Sequence, residues 1–433
     1  MRAMAAIQFI KRQVKQIQQG GSLVLLRKIK LFATKSYYIP IYILAIPAVL
    51  IIRLIKPWLL VRLGGLHSTR IGHFAANTEL YLCERAAGVN VPNQRHIDIF
   101  YMGGKPVCNQ QLATMWKRVL RIWPAWLVAP IDQINRLIPS GESHEIGKNA
   151  NSDRDILNLL DRVPPHLQFT AEETARGEDG LRAMGIPAGV PFVCLAVRDS
   201  AYLASQLGSI DFSYHDYRDS DVQNYVLAAE ALANRGYYVI RMGAKVREPI
   251  NSTHTNIIDY ATNGMRSDFM DIYLGSKCEF CITVGTGYDA VPYIFRRPIV
   301  YVNLVPVAYL PTFRAQYIGI FKHHIDSTSN NELSLSEIFI RGVGFCMRSS
   351  DYKAKGVTLV ENTPQEIRNV VIESAERIAG TWKEHPADNS VQRSFWEIYL
   401  AYVVKDSAGK PLHGEIRGRF GAAYLRDNPH WLR

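Results

Sequence analysis

CEFCITVGTGYDAVPYIFRRPIVYVN, residues 278–303, is an apolar run, a Gly285-Thr286-Gly287 turn, an apolar-periodic segment and, after Arg296-Arg297-Pro298, a second apolar run. This is the pattern of a buried strand, a tight turn, a short helix and a second buried strand. Glycine lets the backbone turn sharply and come close to a ligand, and a helix start offers unpaired N–H groups and a partial positive charge that suit a phosphate. A strand–glycine loop–helix unit also stands early in the chain, at residues 58–88. Together the two units predict an α/β protein with two nucleotide-type domains facing one cleft.

The rest of the composition narrows the classes. A chain of 433 residues is too long for one ordinary core. Its 48% apolar and 21% charged residues are ordinary globular values, which excludes global disorder. The formal net charge of +11 implies an anionic partner: nucleic acid, anionic lipid or a phosphorylated ligand. Nucleic acid is disfavoured, because no long Lys/Arg block with interleaved aromatics and no zinc-finger or RNA-recognition signature is present. Cys83, Cys108, Cys194, Cys278, Cys281 and Cys346 mostly lie in apolar runs. Cys278 and Cys281 form a C-x-x-C, but no second pair stands at zinc spacing, so both read as small buried residues. A reducing, cytoplasmic setting fits this usage.

Residues 1–57 read as a membrane-associating segment. Lys11, Arg12, Lys15, Arg27, Lys28, Lys30 and Lys35 precede YYIPIYILAIPAVLIIRLI at 37–55. The apolar run starts too late for a signal peptide and lacks a small-residue cleavage site. Its length is near the minimum for a membrane span, but Pro40, Pro47 and the internal Arg53 oppose spanning. The preferred reading is a segment lying in the cytoplasmic leaflet, with Tyr37, Tyr38, Tyr42 and Trp58 at headgroup level and the basic residues near anionic lipid. The alternatives are a spanning helix and a buried helix pair.

Residues 58–186 read as a first domain. It has strands at 58–64 and 96–104, helices at 73–88 and 110–122, and a helix with a charged face at 169–186. Residues 130–165 are turn-rich and resist assignment. Pro187, Gly189 and Pro191 suggest a hinge, and 187–380 reads as a second domain. Its strands fall at 191–199 and 237–243, and its helices at 222–236 and 267–276. Thr363-Pro364-Gln365-Glu366 is a capping box opening a helix to about residue 378. Residues 381–433 form a tail expected to pack back on the first domain.

Candidate chemistry gathers at loop ends. Gly285, Thr286 and Gly287 are expected to bind a diphosphate through backbone N–H groups and the Thr286 hydroxyl, with Tyr288 and Asp289 beside them. The alternative is a tight turn without a ligand. Arg198 and Asp199 follow a buried strand, where ligands bind in open α/β sheets, and arginine holds phosphate bidentately. Their alternative is a surface ion pair. His215 and Arg218 lie in the polar, aromatic stretch FSYHDYRDSDVQNY at 212–225. Within it Asp219-Ser220-Asp221 is formally a metal-binding D-x-D, but reads better as a helix cap. Arg241 and Gly243 close another strand at the same sheet edge. In the first domain Arg70, Gly72, His73, Asn77 and Glu79 mark a loop-to-helix junction. A His at a helix start tends to stay neutral, so His73 is a candidate base for a hydroxyl, with a structural His as the alternative. Asn109 either binds an acceptor or caps a helix.

RIGHFAANTELYL, VCLAVRDSAYL, HDYRDSDVQNY, GYYVIRMG and SDFMDIYLGSKCEFCITVGTGYDAV together resemble a bacterial family of glycosyltransferases associated with surface-polysaccharide synthesis, over roughly residues 50 to 350. The resemblance implies the GT-B type: two Rossmann-like domains, with the nucleotide sugar on the C-terminal one, the acceptor on the N-terminal one and catalysis usually without a metal. It therefore implies a nucleotide-sugar donor, a glycan or lipid-linked acceptor, no cofactor, no metal and work at the inner face of the plasma membrane. On that reading Arg198 also stabilises the leaving diphosphate. A sugar-nucleotide epimerase or hydrolase and a non-catalytic membrane scaffold are the alternatives.

Overall fold

The computed structural model describes residues 39–147, 153–199, 213–403 and 411–433, together with 21, 22, 24, 405 and 409. The basic residues named above between Lys11 and Lys35, and Tyr37 and Tyr38, lie outside the described residues. The chain is α/β and divides into two compact units, one of residues 1–65, 92–103 and 121–146, the other of 66–91, 104–120 and 147–433.

The first unit is built around α1 (Ile39–Leu54), β1 (Leu60–Leu66) and β2 (His96–Met102). β1 and β2 are hydrogen-bonded neighbours, extended by single parallel bridges from Leu63 to Glu145 and from Phe100 to Ile122. Val61, Leu63, Ile99 and Val128 form its small core, against which Ile52, Ile55 and Ile131 pack. The buried Arg62 and Asp98 pair at 2.6 Å. No described helix is long and apolar enough to cross a membrane, and α1 has 16 residues.

In the second unit, α2 (Ile71–Ala86) and α3 (Gln110–Val119) precede α5 (Ala171–Ala183), while α4 (Ala125–Leu137) belongs to the first unit. The second half of α4 falls in the stretch 130–165, whose turn-rich sequence resists assignment, and Pro130 lies inside the helix. α5 opens on a capping box made by Thr170 and Glu173. Gly177 and Gly180 then let it approach Tyr273 and Met270. The expected hinge at 187–191 lies within this unit and leads directly into β3 (Phe192–Ala196).

From there α6 (Val226–Ala233), β4 (Tyr238–Arg241), β5 (Ile257–Ile258), α7 (Asp268–Lys277), β6 (Cys281–Thr283), α8 (Ala290–Ile294), β7 (Ile299–Leu304) and β8 (Tyr317–Phe321) follow. β9 (His323–Asp326) and β10 (Val357–Val360) form a separate antiparallel pair. α9 (Pro364–Ile378) opens on the expected Thr363/Glu366 capping box. α10 (Asp388–Tyr402), β11 (Arg419–Phe420) and α11 (Ala422–Asp427) end the chain.

Seven strands make one parallel sheet in the order β11-β8-β7-β6-β3-β4-β5. β3, β6, β7 and β8 are buried along their whole length, as strands covered on both faces must be, which explains their near-continuous apolar sequence. The order reverses between β3 and β6: successive strands are added on one side of β3 up to β5, then on its other side from β6. Ligands of open α/β sheets bind beyond the strand ends at such a switch point. The tail joins this sheet through β11, and Phe420 and Trp431 pack on Phe321.

Candidate functional site

Beyond the C-terminal ends of β3 and β6 stand the two stretches of sequence richest in candidates, Arg198-Asp199 and Gly285–Asp289. Gly285 has φ +76°, which favours glycine, and a Cβ there would also press to 2.9 Å on the Leu304 Cδ1 methyl. The Thr283 hydroxyl accepts from the N–H groups of Gly285 (3.2 Å) and Thr286 (3.3 Å), and the Thr286 hydroxyl oxygen accepts from Tyr288 N–H (3.3 Å). Of the backbone donors expected to cradle an anion, those of Gly285 and Thr286 are thus engaged by a side chain, as is the Tyr288 N–H, and α8 is only five residues long.

Cations supply what the turn does not. Arg218 donates to the Gly285 carbonyl, tying the 213–218 turn to the end of β6. Arg198 donates through Nε to Asp219 at 3.0 Å. The buried Nδ1 of His215 and Nε of Arg218 have no hydrogen-bond partner among the described residues. Burial, and then the charges of Arg198, Arg218, Arg70 and Arg348, push the His215 imidazole down to about 4. Four guanidinium groups therefore converge electrostatically on one neutral ring. Burial also lowers Arg218, and Arg198 adds to the effect. Burial pushes the Asp289 carboxyl up to about 7, against the pull of Arg218.

The loop before α2 reaches the same place. A Cβ on Gly72 would stand 3.1 Å from Gly287 Cα, so these two backbones touch. His73 follows, with Nδ1 3.4 Å from Asn77 Oδ1 and 4.0 Å from Asp153 Oδ2. The structure thus gathers Arg70, Gly72, His73, Arg198, His215, Arg218 and Gly285–Asp289. Arg348 and Asp153 were missed. Arg348 lies over 100 residues from the other arginines in sequence, and Asp153 falls in the unassigned turn-rich stretch.

Other candidates have structural duties. Glu79, expected beside the acceptor, is fully buried, accepts from Arg296 at 2.7 Å and pairs with His166 Nδ1 at 3.0 Å. Cys83 lies near enough to complete a metal-like trio, but the Arg296 guanidinium already fills that place, 3.4 Å from its sulfur. Asn109 is buried, caps α3 through Leu112 N–H at 2.8 Å and donates to the Asp268 carbonyl at 2.9 Å. The Tyr288 hydroxyl points inward to the Asp271 carbonyl at 3.0 Å. Arg241 is buried against Asp259 at 3.2 Å, Gly243 packs beneath Val246, and Asp199 accepts from Arg247 N–H at 2.9 Å. In the D-x-D, Asp219 pairs with Arg198 and Asp221 caps the turn Val222–Tyr225. Cys194, Cys278 and Cys281 are free thiols in one apolar cluster.

No family model matches the chain, and no curated protein matches it. Among solved structures it is similar to the Escherichia coli ADP-heptose lipopolysaccharide heptosyltransferase II, at 14% identity and TM-score 0.36 over 60% of this chain and 90% of that one. A glycosyl transferase family 9 protein from Veillonella parvula gives 10% and 0.34 over 56% and 80%. A fucosyltransferase from Bradyrhizobium gives 11% and 0.27 over 56% and 95%. Likeness this distant transfers no function.

Proposed function

We propose that this protein moves a sugar from a nucleotide-sugar donor to a hydroxyl acceptor, in the synthesis of a bacterial surface polysaccharide at the inner face of the plasma membrane. The observation that carries the reading is the placement of Arg198, bound to Asp219, and of Arg218, bound to the Gly285 carbonyl with its buried Nε unpartnered among the described residues, at the switch point of the parallel sheet. A nucleoside diphosphate gains negative charge as its bond to the sugar breaks, and fixed cations placed there lower the barrier. The loops after β3 and β6 then serve the donor, and the start of α2, which belongs to the same unit, serves the acceptor.

His73 takes the acceptor proton on Nε2, since Nδ1 faces Asn77 and Asp153. The acceptor oxygen forms its bond to the anomeric carbon while the bond from that carbon to the diphosphate oxygen breaks. The leaving diphosphate carries away the electron pair, and Asp153 steadies the imidazolium that forms. This is an inverting displacement.

A thermal-shift series tests the reading. Nucleoside diphosphates are expected to raise the melting temperature more than monophosphates, because a ligand of the folded form alone stabilises it by mass action. Arg218→Met is expected to abolish that difference. Equal shifts from both, or none from either, would remove the donor site and the proposal with it.

A further inference from the structure

Two helices of the first unit leave an apolar surface that its core does not use. α1 buries Ala45 and Val49 and packs Ile52 on the small core, while Ile43, Leu50 and Leu54 on its other side are more than half exposed. The turns at the helix ends add Trp58 (74% exposed) and Trp123, and α4 adds Trp126 (64% exposed). Single exposed apolar residues are ordinary, but three tryptophans with helical rows of Ile and Leu are not. Indole rings favour the boundary between headgroups and acyl chains, where one edge is wet and the other apolar.

The one charge inside α1 does not oppose this. Arg53 donates to the carbonyls of Asn135, Ile138 and Pro139 at 2.8–3.2 Å, so its guanidinium caps the negative end of α4. Charge along the chain points to the sign of the partner. Twelve Lys and Arg and no acid precede Glu79, whereas the remaining 38 Lys and Arg face 39 acids. The whole positive excess therefore lies in the stretch that contains α1, and it complements an anionic lipid surface.

We infer that the α1–α4 pair is a monotopic docking face that lies in the plane of an anionic leaflet, with Trp58, Trp123 and Trp126 seated at headgroup depth. This deepens the membrane-face part of the function proposed above and rests on it, while the donor site is tested separately.

The full-length chain is sedimented with vesicles of phosphatidylglycerol in phosphatidylcholine and with pure phosphatidylcholine. Binding is expected to the first, to weaken with added salt, and to fall about 10-fold or more in the Trp58→Ser/Trp123→Ser/Trp126→Ser variant. Brominated acyl chains are expected to quench wild-type tryptophan emission. The variant should keep its melting temperature and its diphosphate shift. No vesicle binding by the wild type, undiminished binding by the variant, or absence of quenching would overturn the inference. So would a wild-type dimer in lipid-free buffer that the variant dissociates, since a second copy would then cover the face. Vesicle binding without any nucleotide shift would sink the transferase reading alone.

Discussion

Gly72 and Gly287, 215 residues apart in sequence, meet backbone to backbone: a Cβ built on Gly72 falls 3.1 Å from Gly287 Cα, whereas one built on Gly287 falls 3.4 Å from Gly72 N. The contact seats the start of α2, and His73 with it, against the turn that follows β6. The asymmetry gives a sharp expectation. Gly72→Val forces main chain away from main chain and shifts His73, and displacement of about 1 Å at a reacting group can cost roughly 100-fold in rate. Gly287→Ala makes an ordinary contact and should change turnover by no more than a few-fold. Sugar-transfer assays on the two variants check this, and equal effects would contradict it.

The arginine cluster leads to a second expectation. His215 protonates only near pH 4 in the free protein because burial and four guanidinium groups oppose its charge. A bound diphosphate cancels part of that field, so the His215 pKa must rise on binding. By linkage, affinity then gains, with proton uptake, as pH falls through the raised His215 pKa of the complex toward the lower one of the free protein. NMR titration of the ring with and without nucleoside diphosphate reads the shift directly. Arg218→Met should weaken diphosphate binding by about 10- to 100-fold, the value of a charged hydrogen bond, and should shrink the His215 response.

Local rules made much of the fold legible. The Thr363/Glu366 box, the glycine turn after β6 and the apolar runs of β3, β6, β7 and β8 are all readable from neighbours a few residues apart. The site was legible only in part. Arg198, Arg218, Gly285 and His73 follow from their places at strand and helix ends. The roles of Thr283, Asp153 and Arg348 depend on pairings that no local pattern encodes. Glu79 was misassigned because helical period brings it near His73 in sequence but turns it inward, where Arg296, itself at φ +62°, awaits it.

That buried pair carries its own consequence. Glu79 ties α2 to Arg296 and His166, and its second oxygen has no hydrogen-bond partner among the described residues. Removing the carboxylate leaves a buried guanidinium uncompensated, at a cost of about 3 kcal/mol or more. Glu79→Ala should lower the urea midpoint accordingly, while Glu79→Gln, which keeps a carbonyl acceptor, should lose less. Little change in either variant would mean that the pair is open to solvent.

The C-terminal clip predicts a loss of stability at high pH. His323 lies between Glu332 at 2.6 Å and Glu366 at 3.1 Å, and Glu332 also accepts from Trp431 Nε1 at 2.7 Å, pinning the last turn of the chain. Burial opposes the charged imidazole, but the hydrogen bonds to the two carboxylates outweigh it and push the group up to about 9. A histidine raised in the folded state stabilises fully below its unfolded pKa of about 6.5 and loses that stabilisation as pH climbs through 9. The contribution is on the order of 3 kcal/mol. Wild-type protein should therefore lose urea resistance between pH 6.5 and 9.5. His323→Gln should start lower and stay flat over that window, because it has no proton to release. A wild-type midpoint that does not fall across this range would show that the imidazole is not held charged between the two carboxylates.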